Sequence, residues 1–181
     1  MTRGQIVMLA LGAVFVFWLV GAYNRLVALR NGIVRAWAKV DEALQQRTAA
    51  AAPLLAALRA PLAAEQGALD AVQAALAESA RAAATMAARP VVQAQAQAWV
   101  TAEAALAAAA SRLFALLEHD TALRLDEAVA APAAAWRDAQ ARLAFARQLF
   151  NDAAQAYNEA IAIFPTRLLL GLFSFGPAGR I

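Results

Sequence analysis

Cysteine is absent from the 181 residues, and the chain holds one histidine, eight glycines and six prolines. Without thiols there is no disulfide scaffold, no Cys-based zinc finger, no iron–sulfur centre and no lipid attached through an N-terminal cysteine. Compartment is left open by the same absence. So few glycines exclude a collagen-like repeat, and β-branched residues are scarce outside the first 40 positions, which makes a β-sandwich a poor reading. No glycine-rich phosphate loop, G-x-S-x-G turn or Cys/His pair occurs. The expectation is a protein that is not an enzyme, with no catalytic residue, no cofactor, no metal site and no small-molecule substrate evident.

What the chain does have is alanine. Fifty-five residues are alanine, so about half of the 62% hydrophobic fraction favours helix much more than it drives burial. The core must be built by relatively few large side chains.

The net charge of +3 is unevenly placed. Residues 1–47 carry six basic groups (Arg3, Arg25, Arg30, Arg35, Lys39, Arg47) against Asp41 and Glu42, while the remaining ten arginines face eleven carboxylates. The excess sits beside a hydrophobic N-terminus, where it suits anionic lipid headgroups. No basic stripe interleaved with aromatics is present, so nucleic acid is not an expected partner; membrane lipid is.

Residues 4–24 contain no charge, and residues 6–20 are almost continuously apolar. A helix of 21 residues is about 32 Å long, enough for a hydrocarbon core of roughly 30 Å. Trp18 and Tyr23 lie towards its far end, where amphipathic rings suit the interface. A cleaved signal peptide is the rival, with Val20-Gly21-Ala22 as a small-residue cleavage site, but the apolar stretch is long for one. Residues 1–22 are therefore expected to be a retained, single-pass transmembrane anchor. Arg25, Arg30, Arg35 and Lys39 follow the span against Arg3 before it, and this bias places the larger part in the cytoplasm.

Past the anchor, Tyr23, Leu26, Arg30, Ile33, Trp37, Val40 and Leu44 keep a 3,4 spacing, one helical stripe that contains an arginine. Nothing breaks the chain after Ala22, so the anchor and the first soluble helix are expected to form one rod. Pro53 and Pro61 predict a kink or reversal within residues 53–67. Further helices are expected over residues 62–88 and 91–118, with 119–125 as a connection. A last helix begins after an Asp126 cap, or at 131 if Pro132 shifts its start, and ends at Pro165. Trp136, Leu143, Phe150, Tyr157, Ile161 and Phe164 mark its core face. The fold class is thus all-α: a transmembrane helix (1–22) continuing into an antiparallel four-helix bundle (23–165), then an apolar tail (166–181). An even helix count returns the chain to the membrane end, and the tail, too short to span, is expected to pack there or lie in the interface.

Two segments resemble the LemA family. The first is YNRLVALRNGIVRAWAKVDEALQQR, residues 23–47; the second is ARQLFNDAAQAYNEAIAIFP, residues 146–165, with LLLGLFSFG behind it. Where the family pattern carries an acidic residue seven positions before the closing arginine, this chain has Gln140, and its residues 48–52 lack the family's charged run. The resemblance implies a four-helix bundle attached to a bacterial inner membrane and brings no reaction with it. It includes exported relatives, so a periplasmic bundle remains open.

Glu118, His119 and Asp120 are adjacent, and neighbours about 100° apart on a helix do not converge on one ion. Asp41-Glu42 and Asp126-Glu127 diverge in the same way and read as a solvated face and a helix start. The membrane-proximal structural candidates are Tyr23, Asn24, Arg30, Trp37, Tyr157, Asn158, Phe164 and Pro165. If the last helix ends beside the start of the first, the Tyr23-Asn24 and Tyr157-Asn158 pairs approach each other just outside the bilayer, with the tyrosines otherwise ordinary core residues. Arg30 is expected to snorkel or to pair with a carboxylate. The functional expectation is a scaffold or adaptor whose protein partner, a second copy of the chain included, is not named by the residues. The alternative is an accessory or regulator of a membrane protease or envelope-stress system.

Overall fold

A computed structural model describes residues 2–163 and 176–181, and among them there are helices, turns and a single isolated β-bridge. Helix α1 runs Arg3–Leu58, α2 Gln66–Ala88, α3 Gln93–His119, α4 Thr121–Leu125 and α5 Glu127–Ala162. A four-residue capping box opens α1: Gln5 N donates to Thr2 Oγ1 while Thr2 N donates to Gln5 Oε1 at 2.8 Å. At 1.5 Å per residue its 56 residues make a rod about 84 Å long. Among the described residues its first third is largely exposed, with the large apolar side chains from Ile6 to Val20 mostly half exposed or more and Leu19 packed in part against the core. From Leu26 onward the same helix turns a buried stripe inward: Leu26, Ile33, Trp37, Val40, Leu44, Ala51, Leu54 and Leu58. Anchor and first bundle helix are one element.

The chain does not turn at Pro53, which lies inside α1. The ring removes one helical hydrogen bond at a cost of roughly 3 kcal/mol, but Leu54 and Leu58 directly after it are fully buried and hold the last turn. The reversal comes at residues 59–65, where Gln66 Nε2 donates to Arg59 O at 2.9 Å and a 3₁₀ turn spans Ala63–Glu65. Helix α2 accordingly starts four residues later than residue 62. The expected connection at residues 119–125 instead holds the short α4, while Asp126 caps the last helix as expected. Asp120 Oδ1 accepts from Ala122 N and Leu123 N, capping the short α4, and Asp126 Oδ1 accepts from Ala128 N to cap α5. Pro132, the sixth residue of α5, removes one helical hydrogen bond without shifting the start, which is already set by the Asp126 cap and by Ala130 N donating to Asp126 O at 2.7 Å.

The four long helices form the expected antiparallel bundle as two close pairs, α1 with α5 and α2 with α3. Alanines at the contacts, such as Ala43, Ala139 and Ala146, let these pairs approach closely. Large side chains fill the space between the pairs. Trp37 meets Trp99 and Phe150 edge-on with centroids 5.6 and 6.0 Å apart, and Phe114 meets Trp136 at 6.0 Å. The core is split along its length. A membrane-proximal cluster contains Leu26, Trp37, Trp99, Phe150 and Tyr157; a distal cluster contains Leu54, Leu58, Leu106, Leu113 and Trp136. By length and composition both α1 and α3 are apolar enough to cross a membrane, but a third of the apolar window of α3 is buried in the bundle while none of that of α1 is.

Candidate functional site

The bundle helices place their buried residues mostly three and four apart; on α1, α2 and α3 one step of that stripe is polar, while on α5 a half-buried polar residue stands beside it. On α1 the series Trp37, Val40, Leu44 continues to Arg47; on α3 it runs Ala96, Trp99, Glu103, Leu106; α2 contributes Ser79 and α5 Gln140. All four lie at the same height, between the two apolar clusters. Arg47 donates from Nη1 to Glu103 Oε2 at 2.7 Å and to Gln140 Oε1 at 3.1 Å, and from Nη2 to Glu103 Oε1 at 2.8 Å and Ser79 Oγ at 3.2 Å. Ser79 Oγ in turn donates to Glu103 Oε1. Arg47 and Ser79 are almost wholly buried and Glu103 nearly so. Burial raises the Glu103 carboxyl, but the hydrogen bonds and charge of Arg47, the Ser79 hydroxyl and the charge of Arg147 together hold it below its ordinary value of 4.5. Glu103 is therefore ionised at neutral pH.

Both carboxylate oxygens of Glu103 are occupied by the fork of the guanidinium, and the layer borders two clefts, one of about 470 Å³ against Arg47 and Ser79 and one of about 130 Å³ against Arg47, Glu103 and Gln140. A buried ion pair adds little net stability over apolar packing, yet a mismatched one costs several kcal/mol, so the layer fixes which helices meet and at what register. The Nε of Arg47 and the indole N–H groups of Trp37 and Trp99 are buried without a hydrogen-bond partner among the described residues. Arg147 lies over the Trp99 ring at 5.2 Å, a cation–π contact on the same side of the bundle.

At the membrane end the sequence candidates separate. Trp37 is a central core residue. Tyr157 is buried too, and its hydroxyl donates to Gly176 O at 3.1 Å; burial pushes the phenol above its ordinary value, opposed by the charge of Arg30. Asn158 does not bond Asn24, which is exposed. Its amide instead grips the returning tail from both sides, accepting from Ala178 N at 2.8 Å and donating to Ala178 O at 3.0 Å. Asn151, seven residues earlier on the same face, does the same for Ile181 at 2.8 and 2.5 Å. The reason is reach: an asparagine on α5 can satisfy both backbone groups of one residue of a segment lying along the helix, which a second helical asparagine does not offer. Residues 176–181 thus form a strap along α5 that also bridges Val92. Gly179 has to be glycine there, because a Cβ would stand 2.6 Å from Ala96 Cβ and 2.8 Å from Gln93 Cα.

Arg30 is exposed and, among the described residues, forms no ion pair; it borders a cavity of about 730 Å³ with Tyr157, Gln93, Gln97 and Pro177. Tyr23 is partly exposed at the start of the bundle. Phe164 and Pro165 lie outside the described residues, as does the apolar run at residues 168–174. His119 ends α3 and Asp120 caps α4, so the two point to different tasks, and no group of three metal-type ligands occurs among the described residues.

Sequence reasoning missed the polar layer, although its signal was present: Arg47 is the next step of the stripe that was followed only as far as Leu44. A sequence model of the LemA family matches residues 36–180, most of the chain, from the middle of α1 through α5. A search of curated proteins returns no match.

Proposed function

Since the chain belongs to the LemA family, we propose that it is a non-enzymatic, membrane-anchored scaffold or adaptor whose helical bundle presents its outer surface to protein partners. The observation that carries this reading is the unbroken α1 rod, whose exposed apolar third and buried heptad stripe belong to one helix. Such an element ties the position and axis of the bundle to the bilayer without a flexible linker. The buried polar layer, with both carboxylate oxygens of Glu103 held by Arg47, supports a structural role over a catalytic one. The basic excess after the span supports a single-pass protein of the bacterial inner membrane with its bundle in the cytoplasm.

Fractionation of cells expressing the full chain tests the anchor. The protein is expected in the membrane pellet, resistant to salt and alkaline washing, with an intact mass that includes residues 2–22. A soluble product starting at residue 23 sinks the reading. Protease added to intact spheroplasts is expected to spare the bundle; digestion from outside refutes the cytoplasmic side. Detergent pull-down with quantitative mass spectrometry then identifies the partners, and stoichiometric recovery of a membrane protease would move the assignment to the accessory alternative.

A further inference from the structure

Two large apolar side chains stand in solvent midway along α5, Phe145 at 64% and Leu149 at 40% exposure. They border a groove of about 470 Å³ between α1 and α5, with Ala43 and Ala146 at its base and Lys39, Glu42 and Arg142 at its rim. Trp37 faces Phe150 and Arg47 faces Gln140, so Phe145 and Leu149 stand at the height of residues 38–42 of α1. That is about 30 Å of helix beyond residue 20, outside any hydrocarbon. Lipid does not explain them.

The charges along the two rims are complementary. By the same register Arg35 is level with Asp152, and Glu42 lies within one turn of Arg142. Among the described residues Arg35, Asp152 and Arg142 form no ion pair; Arg142 is held only by Gln46 Oε1 at 3.1 Å, and Glu42 by an exposed contact with Lys39. We propose that this groove is a self-association surface, occupied by the same groove of a second copy about a two-fold axis along the bundle. Such an axis keeps heights equal and exchanges elements, so α1 of one copy lies against α5 of the other. Arg35 then meets the partner's Asp152, Glu42 meets the partner's Arg142, and Phe145 and Leu149 close over their counterparts at the centre. An axis across the bundle would send the two anchors to opposite ends. The inference rests on the membrane-anchored reading, because insertion of both anchors in one bilayer selects the axis along the membrane normal. Confinement to the bilayer raises the effective concentration for pairing.

The chain has no cysteine, so single substitutions report cleanly. In membranes carrying the full chain, Phe145→Cys lies near the axis and is expected to give an oxidant-dependent disulfide dimer, while Ala74→Cys, exposed on α2, is not. Adding Arg142→Glu is expected to lower the Phe145→Cys cross-link about tenfold or more, and adding Glu42→Arg to that variant to restore it. The unaltered chain in lipid nanodiscs supplies a readout free of folding defects, with a dimeric mass expected. A monomeric mass at every loading, equal cross-linking at both cysteines, or a Phe145→Cys cross-link only to a different protein overturns the proposal. A monomer that still pellets with membranes overturns the pairing alone, whereas release from membranes overturns the anchor reading.

Discussion

Arg47 and Glu103, 56 positions apart in the chain, meet as a bidentate ion pair at the centre of the bundle, with N–O distances of 2.7 and 2.8 Å. The pair divides the apolar interior in two and draws Ser79 and Gln140 into the same plane, so each long helix contributes one polar residue to one layer.

Removing one member of that pair strands the other in the interior. Glu103→Ala is expected to cost about 3–5 kcal/mol, whereas the double replacement Arg47→Met with Glu103→Leu restores most of the loss. Urea unfolding of the full chain in detergent, followed by circular dichroism, measures both. A double variant as unstable as Glu103→Ala would show that the layer stabilises the fold by more than avoiding a lone charge.

Acid acts on the same residue. The folded-state value of Glu103 is depressed below 4.5, so its contribution to stability is present above that value and is lost as pH falls through the folded-state value. Thermal midpoints are expected to be insensitive to Glu103 near neutral pH and to drop on acidification below 4.5. Glu103→Gln, compared by the same melts, removes that part of the acid dependence; an unchanged acid slope contradicts the assignment.

The strap at residues 176–181 hangs on two asparagines and one glycine. Asn158→Ala removes both amide contacts to Ala178, and Gly179→Ala forces a Cβ onto Ala96 and Gln93. Hydrogen exchange at residues 178–181 is expected to speed up about tenfold or more in each variant, with α1 to α5 unaffected. Uniform loosening of the bundle would mean that the strap is part of the global fold.

Trp37 joins three helices through its contacts with Trp99 and Phe150. Trp37→Ala is expected to cost about 3–5 kcal/mol and Trp37→Phe clearly less, because a smaller cavity remains. Equal losses in chemical denaturation would show that cavity size at this site does not set the cost.

Much of this was legible in the residues. The 3,4 spacing from Leu26 to Leu44 is local and survives in the structure as a buried stripe, and Asp126 caps a helix as aspartate before a glutamate does. The reversal expected within residues 53–67 falls at 59–65; Pro53 itself stays inside α1, because a proline's cost is local while the burial of Leu54 and Leu58 that offsets it depends on helices not yet in view. Arg47 escaped notice for the same reason. An arginine on an apolar stripe reads as snorkelling until a carboxylate from another helix is known to face it. Asn158 was expected to come near the start of α1 and bond helix ends; it bonds Ala178 of the returning strap, which nothing near it in the chain signals.

The amino-acid sequence alone determined that this protein is helical, where its apolar leader ends and which face of each helix turns inward, because spacing, charge and capping act over a few residues. Tertiary structure decided which polar side chains share a layer, where the last residues lie and which groove is left open. Those depend on distances between residues tens of positions apart, and they exist only once the helices have packed.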